Sequence, residues 1–204
     1  MARALGYRFI DTGAMYRALT WLALERKLDL HGEAALTRLA EQARLTVEPG
    51  PPQAPEAGRV VVDGTDVTDR LRSPEVGEAV SLVSRVAGVR SAMVALQRKL
   101  AAEGGVVMAG RDIGTVVLPD APLKVYLEAS AQERVRRRHD ELVAAGRDAT
   151  EQEVQEELAL RDAIDSGREV SPLRPAEDAI IIHTDHLSVD EVVERILEQV
   201  PCRS

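Results

Sequence analysis

The sequence predicts an α/β protein with three layers, in which helices cover both faces of a parallel sheet. The first observation is a set of three short apolar runs, GVVMAG (105–110), LKVYLEA (123–129) and AIIIHT (179–184). Each run is too short for a helix and is apolar on both faces, a pattern typical of strands in a parallel sheet. The second observation is that helix patterns follow the later runs, so strands and helices alternate along the chain. These helix patterns lie at 130–145, 151–163 and 188–199.

The first 29 residues predict one further strand and the helix that follows it. YRFID (7–11) is a short strand pattern, and TGAMYRALTWLALERKL (12–28) is a helix pattern. Four apolar residues lie near one face of that helix: Met15, Leu19, Leu22 and Leu28.

Residues 30–100 interrupt the alternation and predict an inserted lobe. The strand patterns ARLTVEP and GRVVVDG are separated by PGPPQAPEAG (49–58), whose prolines exclude a helix or a strand. The Asp-Gly pair in VVVDGTDV is typical of a tight hairpin. Helix patterns lie at 33–43, 74–87 and 89–103. We therefore expect a core domain of residues 1–29 and 101–204 with a lobe inserted at 30–100.

Composition excludes several classes of function. The chain has 204 residues, of which 26 are basic and 34 acidic, so its net charge is −8. A general nucleic-acid binder needs a net basic face, and no nucleic-acid partner is expected. Neither an 18-residue apolar run nor a signal-peptide pattern occurs, so we expect no membrane contact. A monomer is expected, since no long exposed apolar stripe is evident.

The cysteine and histidine content predicts a cytoplasmic protein without a protein-bound metal. Cys202 is the only cysteine, which excludes a disulfide framework and a cysteine metal site and suits a reducing compartment. His183 and His186 are close in sequence, but no third ligand lies near them. No metal site is therefore predicted.

Charged and polar residues follow the predicted strands. In an open parallel sheet, ligands bind beyond the carboxyl ends of the strands. Asp11, Thr12 and Arg17 follow the first strand, Arg111 and Asp112 follow GVVMAG, and an arginine-rich helix follows LKVYLEA. These residues are expected to meet at one edge of the sheet.

Each of these groups has a structural alternative. Asp11 and Thr12 have the residue types of a helix N-cap. Capping does not explain Arg17, because a positive charge near a helix N-terminus is unfavourable unless an anion lies there. A solvated Arg17 remains the alternative.

Two further arginine groups leave function and structure equally open. The first lies on one helix face, where it suits either a polyphosphate or solvent. It consists of Arg134, Arg137 and Arg138. The second suits a phosphate and a sugar hydroxyl, or a surface ion-pair ladder of small energetic value. It consists of Arg161, Asp165 and Arg168.

Five stretches together resemble bacterial cytidylate kinase, a nucleoside monophosphate kinase. They are YRFIDTGAMYRALT, DGTDVTDRLRSPEV, VALQRKLA, GRDIGTVVLPDAPLKVYLEAS and RDAIDSGREVSPLRPAEDAIIIHTD. They occur in the family's order, from about residue 3 to about residue 199. The resemblance implies the P-loop nucleoside monophosphate kinase fold, with the 30–100 lobe binding CMP and a lid at about 131–168.

The resemblance also implies an activity in pyrimidine nucleotide metabolism. A protein of this family transfers the γ-phosphoryl group of ATP, with Mg²⁺, to CMP or dCMP, giving ADP and CDP or dCDP. Two alternatives remain open: a kinase for another nucleoside monophosphate, and a non-catalytic nucleotide-binding protein.

Site residues follow from the same resemblance. Arg17 and Arg111 match arginines that hold the acceptor phosphate, and Thr12, next to Asp11, stands close to the acceptor nucleotide. The family residues that read cytosine match Ser81, Arg90 and Asp112. Those around the pentose and phosphates match Arg161, Asp165 and Arg168. Those of the lid over ATP match Arg134, Arg137 and Arg138.

One departure from the family concerns the ATP phosphates. The family has a G-x-x-x-x-G-K-[ST] loop after its first strand, and the 204 residues contain no such motif. MARALGYRF resembles the end of the helix that follows this loop. We therefore expect roughly two dozen residues, a strand, the loop and half a helix, to precede Met1. Without them we expect the strands VVMAG and LKVYLEA to leave a gap or to pair directly, and we expect a poorly soluble or partly unfolded chain with negligible kinase activity.

Overall fold

The computed structural model describes residues 1–48, 50–51, 53–54, 58–167 and 173–200. Within these ranges, α-helices and short strands occur in the alternating order that the sequence predicts. The helices are α1 (Ala2–Leu5), α2 (Thr12–Glu25), α3 (Glu33–Gln42), α4 (Pro74–Ser84), α5 (Ala87–Ala101), α6 (Ala131–Ala144), α7 (Glu151–Ser166) and α8 (Val189–Leu197). The strands are β1 (Arg8–Asp11), β2 (Leu45–Glu48), β3 (Arg59–Val62), β4 (Thr65–Asp66), β5 (Val106–Ala109), β6 (Val125–Glu128) and β7 (Ile180–His183).

The four strands of the α/β part are parallel, as predicted, and they form two separate pairs. β1 pairs with β5 from Arg8↔Val106 to Asp11↔Ala109. β6 pairs with β7 along its full length. Among the described residues no ladder joins β5 to β6, so the two pairs are not continuous with one another.

The segment from β2 to β4 forms an antiparallel sheet of its own, in the order β2-β3-β4. Asp63 and Gly64 connect β3 to β4 with φ values of 49° and 84°. Positive φ at both central positions defines the tight hairpin turn that an Asp-Gly pair favours, which confirms the predicted hairpin.

One large apolar core joins α2 to the helices and sheet of the 30–100 segment. Met15, Leu19, Leu36, Val62 and Val89 are buried in it, and they come from four different elements. Three residues of the predicted apolar face of α2, Met15, Leu19 and Leu22, are buried, whereas Leu28 lies beyond the end of the helix and is partly buried. A second and smaller buried cluster lies between α6 and α7 and consists of Val135, Leu142 and Val154.

Two local features differ from the sequence prediction. Helix α2 ends at Glu25, not at residue 28, and Lys27 just beyond it has a left-handed φ of 52°. A five-residue π-helix, Ile113–Val117, follows β5 where the sequence gives no helical period. Such single turns are frequent next to functional sites.

No single helix in the described part of the chain is long and apolar enough to cross a membrane. The pair α4–α5 meets that criterion only when its two helices are taken together across a bend of 99°.

Candidate functional site

A cavity of about 280 Å³ lies at the carboxyl ends of β1 and β5. It brings together nine of the predicted site residues from distant parts of the chain. They are Asp11, Thr12, Arg17, Ser81, Arg90, Arg111, Asp112, Arg161 and Asp165. Arg168 lies outside the described residues.

The end of β1 is attached to both α2 and β5. The Asp11 carboxylate accepts a hydrogen bond of 2.8 Å from the Gly13 amide, which confirms the predicted N-cap. The Thr12 hydroxyl donates to the Ala109 carbonyl at 2.9 Å and is buried. The floor of the cavity is therefore held by the two strand ends themselves.

Arg17 extends back over the N-terminus of α2. A Cβ built on Gly13 would lie 3.3 Å from Arg17 Nη1 and 3.0 Å from Asp11 Oδ1. Burial lowers the pKa of Arg17, the nearby Asp11 carboxylate acts in the opposite direction, and Arg138 and Arg72 lower it again. An anion in the cavity would relieve this desolvation and repulsion.

Arg111 and Arg161 share one buried carboxylate. Arg111 pairs with Asp165, whose side chain is only 2% exposed, and Arg161 Nε lies 3.9 Å from the same Asp165 oxygen. The pKa of Arg161 is lowered to about 10, first by burial and then by the positive charges of Arg111 and Arg17. Four arginines and three aspartates line the cavity, so it carries an excess of positive charge that suits a phosphate.

A buried ion pair between Arg90 and Asp112 forms another wall. Arg90 Nη2 donates to Asp112 Oδ2, and Nη1 donates to the Ser84 carbonyl at 3.2 Å. Arg90 Cζ lies 5.4 Å from the centroid of the Tyr16 ring. Arg90 Nε has no hydrogen-bond acceptor among the described residues. This wall offers a fixed polar edge, as recognition of a planar base requires.

The arginines of α6 lie outside the cavity and contact neighbouring groups. Arg134 Nη1 lies 2.6 Å from Asp162 Oδ2, and Arg138 Nη1 donates to Glu141 at 2.9 Å. Arg137 donates to Glu133 at 2.7 Å and to the Thr184 carbonyl at 2.5 Å. The expected role of these arginines over ATP stays a prediction.

Sequence reasoning missed three residues at this site. Tyr16 lies within the apolar period of α2, and Gly110 resembles an ordinary residue at a strand end. Asp162 Oδ1 lies 3.7 Å from Arg111 while Oδ2 contacts Arg134, a bridge that only the packing of α7 creates. A Cβ on Gly110 would lie 2.3 Å from Thr12 Oγ1, so only glycine fits there. Of these three residues, only Gly110 could have been predicted from the sequence, because it directly precedes Arg111 and Asp112.

Magnesium has no resident site among the described residues. They contain no group of three or more histidine, cysteine, aspartate or glutamate side chains that could hold a metal ion. The cavity carboxylates already have partners, since Asp11 accepts from Gly13, Asp112 pairs with Arg90, and Asp165 pairs with Arg111. The donor set of the cavity does not fit a protein-bound metal.

The protein is an α/β protein whose cavity joins four arginines with a buried polar wall, a composition that suits a small phosphorylated ligand. The family model for cytidylate kinase matches residues 1–202. A cytidylate kinase of Geobacillus sp. (strain WCH70) is 51% identical over 201 residues, which cover 98% of this chain and 88% of that protein. The chain belongs to the cytidylate kinase family.

Two other relatives also match nearly the whole of this chain, and both names include cytidylate kinase. The cytidylate kinase of Geobacillus kaustophilus (strain HTA426) is 52% identical over 200 residues, covering 98% of this chain and 88% of that protein. A bifunctional pantoate ligase/cytidylate kinase of Synechococcus sp. (strain JA-3-3Ab) is 50% identical over 197 residues, covering 97% of this chain and 36% of that protein. The match therefore also occurs inside a longer polypeptide.

Proposed function

We propose that this protein is a (d)CMP kinase, which transfers the γ-phosphoryl group of ATP to CMP or dCMP and releases ADP with CDP or dCDP. One observation carries the proposal. A single cavity joins the arginines that the resemblance assigns to the acceptor phosphate with the buried Arg90–Asp112 pair that it assigns to the base. Membership of the cytidylate kinase family supports the same activity.

The proposed reaction is an in-line displacement. An oxygen of the CMP phosphate attacks the γ-phosphorus of ATP, and the bond to the oxygen that bridges the β- and γ-phosphorus atoms breaks. No general base is needed, because the attacking oxygen is already anionic at neutral pH. Arg17, Arg111 and Arg161 hold the acceptor and neutralise charge on the transferred group. Arg168, by resemblance, completes this set.

Base choice in this proposal depends on the polar wall of the cavity. Ser81, Arg90 and Asp112 read the hydrogen-bonding edge of cytosine, and Asp165 lies on the pentose side. Uracil has the reversed donor and acceptor pattern, so it leaves a buried polar group without a partner, which is costly.

The ATP half of the proposal depends on the resemblance. Arg134, Arg137 and Arg138 belong to the lid, residues 30–100 form the acceptor-binding lobe, and Mg²⁺ enters with ATP as part of the co-substrate. We also propose that the protein is cytoplasmic and monomeric, and that it has no nucleic-acid or membrane partner.

Two measurements test the proposal, one on the 204-residue chain and one on an extended chain that carries the expected strand and G-x-x-x-x-G-K-[ST] loop before Met1. Calorimetric titration with CMP, dCMP, UMP and AMP is expected to show tight binding of the cytosine nucleotides only. A coupled assay of ADP release by the extended chain is expected to show turnover that depends on both ATP and CMP. Binding of CMP by the extended chain without any ADP release would favour a non-catalytic nucleotide-binding protein. Equal turnover of all four acceptors would contradict the assignment to CMP.

A further inference from the structure

Arg90 is held on three sides by the protein. Its two terminal nitrogens donate to Asp112 and to the Ser84 carbonyl, and its guanidinium carbon lies over the Tyr16 ring. The whole side chain is buried, and Tyr16 is only 7% exposed. The guanidinium group therefore has one face covered by an aromatic ring and two of its three nitrogens engaged.

The third nitrogen of the Arg90 guanidinium group, Nε, is the donor that a ligand could engage. Nε is buried and has no acceptor among the described residues, while Arg90 itself lines the cavity. A buried donor without an acceptor is unfavourable, so a ligand that supplies an acceptor at this point gains affinity. The direction of the Nε–H bond depends on the tilt of the guanidinium plane.

Tyr16 determines that tilt. A cation within about 6 Å of an aromatic centroid is attracted to the ring face, and the attraction is strongest where water is excluded. The two hydrogen bonds to Asp112 and Ser84 hold the far edge of the group but leave it free to pivot about that edge. The ring of Tyr16, on the adjacent helix α2, removes this freedom.

We infer that Tyr16 is a positioning residue for base selection: its ring orients Arg90 so that Nε–H meets an acceptor on the cytosine ring. The inference rests on the proposed function, because it names a determinant of selectivity at the same site. Tyr16 acts through Arg90, so its loss should reduce discrimination between bases more than it reduces binding of the phosphate.

Affinity for CMP and for UMP, measured by calorimetry without ATP, tests the inference independently of phosphoryl transfer. Tyr16→Phe keeps the ring and should change the CMP-to-UMP affinity ratio by less than about threefold. Tyr16→Leu should lower that ratio by roughly tenfold, the scale of one lost charge-assisted hydrogen bond from Arg90 to the base. Leu19→Ala, in the same helix and core but not a cavity residue, should lower the melting temperature and leave the ratio unchanged.

Two further measurements keep the test decisive. Tyr16→Met fills similar volume without an aromatic face and replaces Tyr16→Leu if the latter does not fold. In the wild-type protein, the Arg90 Nε–H resonance, identified by its loss in Arg90→Lys, should shift with CMP and not with inorganic phosphate. An unchanged ratio in a folded Tyr16→Leu or Tyr16→Met, equal losses in Leu19→Ala, or a wild-type protein with no preference for CMP would overturn the inference.

Discussion

Arg90 and Asp112 form a buried ion pair that connects helix α5 to the segment after β5, and their side chains are 3% and 6% exposed. The two residues belong to different parts of the chain, one to the 30–100 segment and the other to the α/β part. A buried pair is stable only while both partners are present, because either charge alone is strongly unfavourable. Loss of either residue should therefore destabilise the fold and also change the cavity wall.

Asp112→Asn keeps the shape of this side chain and removes its charge. It should lower kcat/KM for CMP far more than for UMP, because the cytosine-reading wall loses its carboxylate. Leaving Arg90 without its counterion should also cost about 3–5 kcal/mol of stability. Coupled assays of the extended chain with both acceptors measure the first effect, and urea unfolding measures the second. Equal losses on CMP and UMP would mean that Asp112 supports the site without reading the base.

In the extended chain, Arg17→Ala and Arg111→Ala should each remove a charge-assisted contact to the acceptor phosphate. The expected loss is about 1.5–3 kcal/mol, or roughly tenfold to 150-fold in kcat/KM for CMP. Arg26→Ala is a suitable control, since Arg26 forms a surface pair with Asp63 at 2.7 Å and does not line the cavity. Wild-type activity in both cavity variants would refute the phosphate assignment.

Asp162→Asn should loosen Arg111 and Arg134 together, because one carboxylate contacts both. The two contacts are ion pairs, of 2.6 Å to Arg134 and 3.7 Å to Arg111, so kcat/KM of the extended chain should fall by about threefold to tenfold for ATP and for CMP. Glu156→Gln is the matched control on the same helix, because the exposed Glu156 carboxylate accepts a hydrogen bond from Gln152 at 3.1 Å and does not line the cavity. Equal effects of the two substitutions, in steady-state assays with ATP and CMP varied separately, would contradict a specific role for Asp162.

Gly110→Ala should damage the cavity floor. The added Cβ would lie 2.3 Å from Thr12 Oγ1 and 2.7 Å from Ile113 Cδ1, so the Thr12–Ala109 hydrogen bond or the π-helix must shift. Such overpacking costs about 1–3 kcal/mol and should weaken CMP binding. Gly77→Ala in α4 meets no atom within 4 Å and should leave both properties intact or raise stability slightly. Thermal unfolding and CMP titration compare the two variants, and a Gly110→Ala protein that matches Gly77→Ala in both would contradict the close packing.

Asp66 predicts a specific dependence of stability on pH. Hydrogen bonds from the Thr68 hydroxyl and amide, and then from Arg59, lower the pKa of Asp66 from 3.8 to about 2. Folding therefore favours the ionised form, so its stabilisation is present above the ordinary pKa and is lost as pH falls through the folded value. Asp66→Asn should be less stable than wild type at about pH 6, and the difference should close between about pH 4 and pH 2. Urea unfolding across this range checks the sign, and a constant difference would contradict it.

Local chemistry in the sequence predicted much of the fold. The Asp63-Gly64 turn and the Asp11 cap were predictable because each involves neighbours only. The rule that ligands bind at the carboxyl ends of parallel strands was enough to place Arg17 and Arg111 at one site. The gap between β5 and β6 was one of two expected outcomes, and direct pairing of these strands was the other.

Residues that act through long-range packing were not predictable. The contact of Tyr16 with Arg90 requires α2 to cross α5, and the bridge made by Asp162 requires α7 to lie against both α6 and the segment after β5. Ser81 and Arg90 entered the predicted site only through the family resemblance, because their spacing along α4 and α5 carries no signal by itself. Periodicity identifies the face that a helix buries, but it does not identify the element that the face meets.

The α6–α7 hairpin and the core around α2 should differ in how easily they open locally, because they bury different amounts of apolar surface. The cluster between α6 and α7 contains three buried residues, while the core around α2 contains many more. The free energy needed to open a segment rises with the apolar surface that opening exposes to water, so the α6–α7 hairpin should open before the rest. Amide protons in α6 and α7 should therefore exchange with solvent deuterium much faster than those of α2 and α5. Arginines on this hairpin can then be repositioned by brief local unfolding that leaves the cavity floor intact.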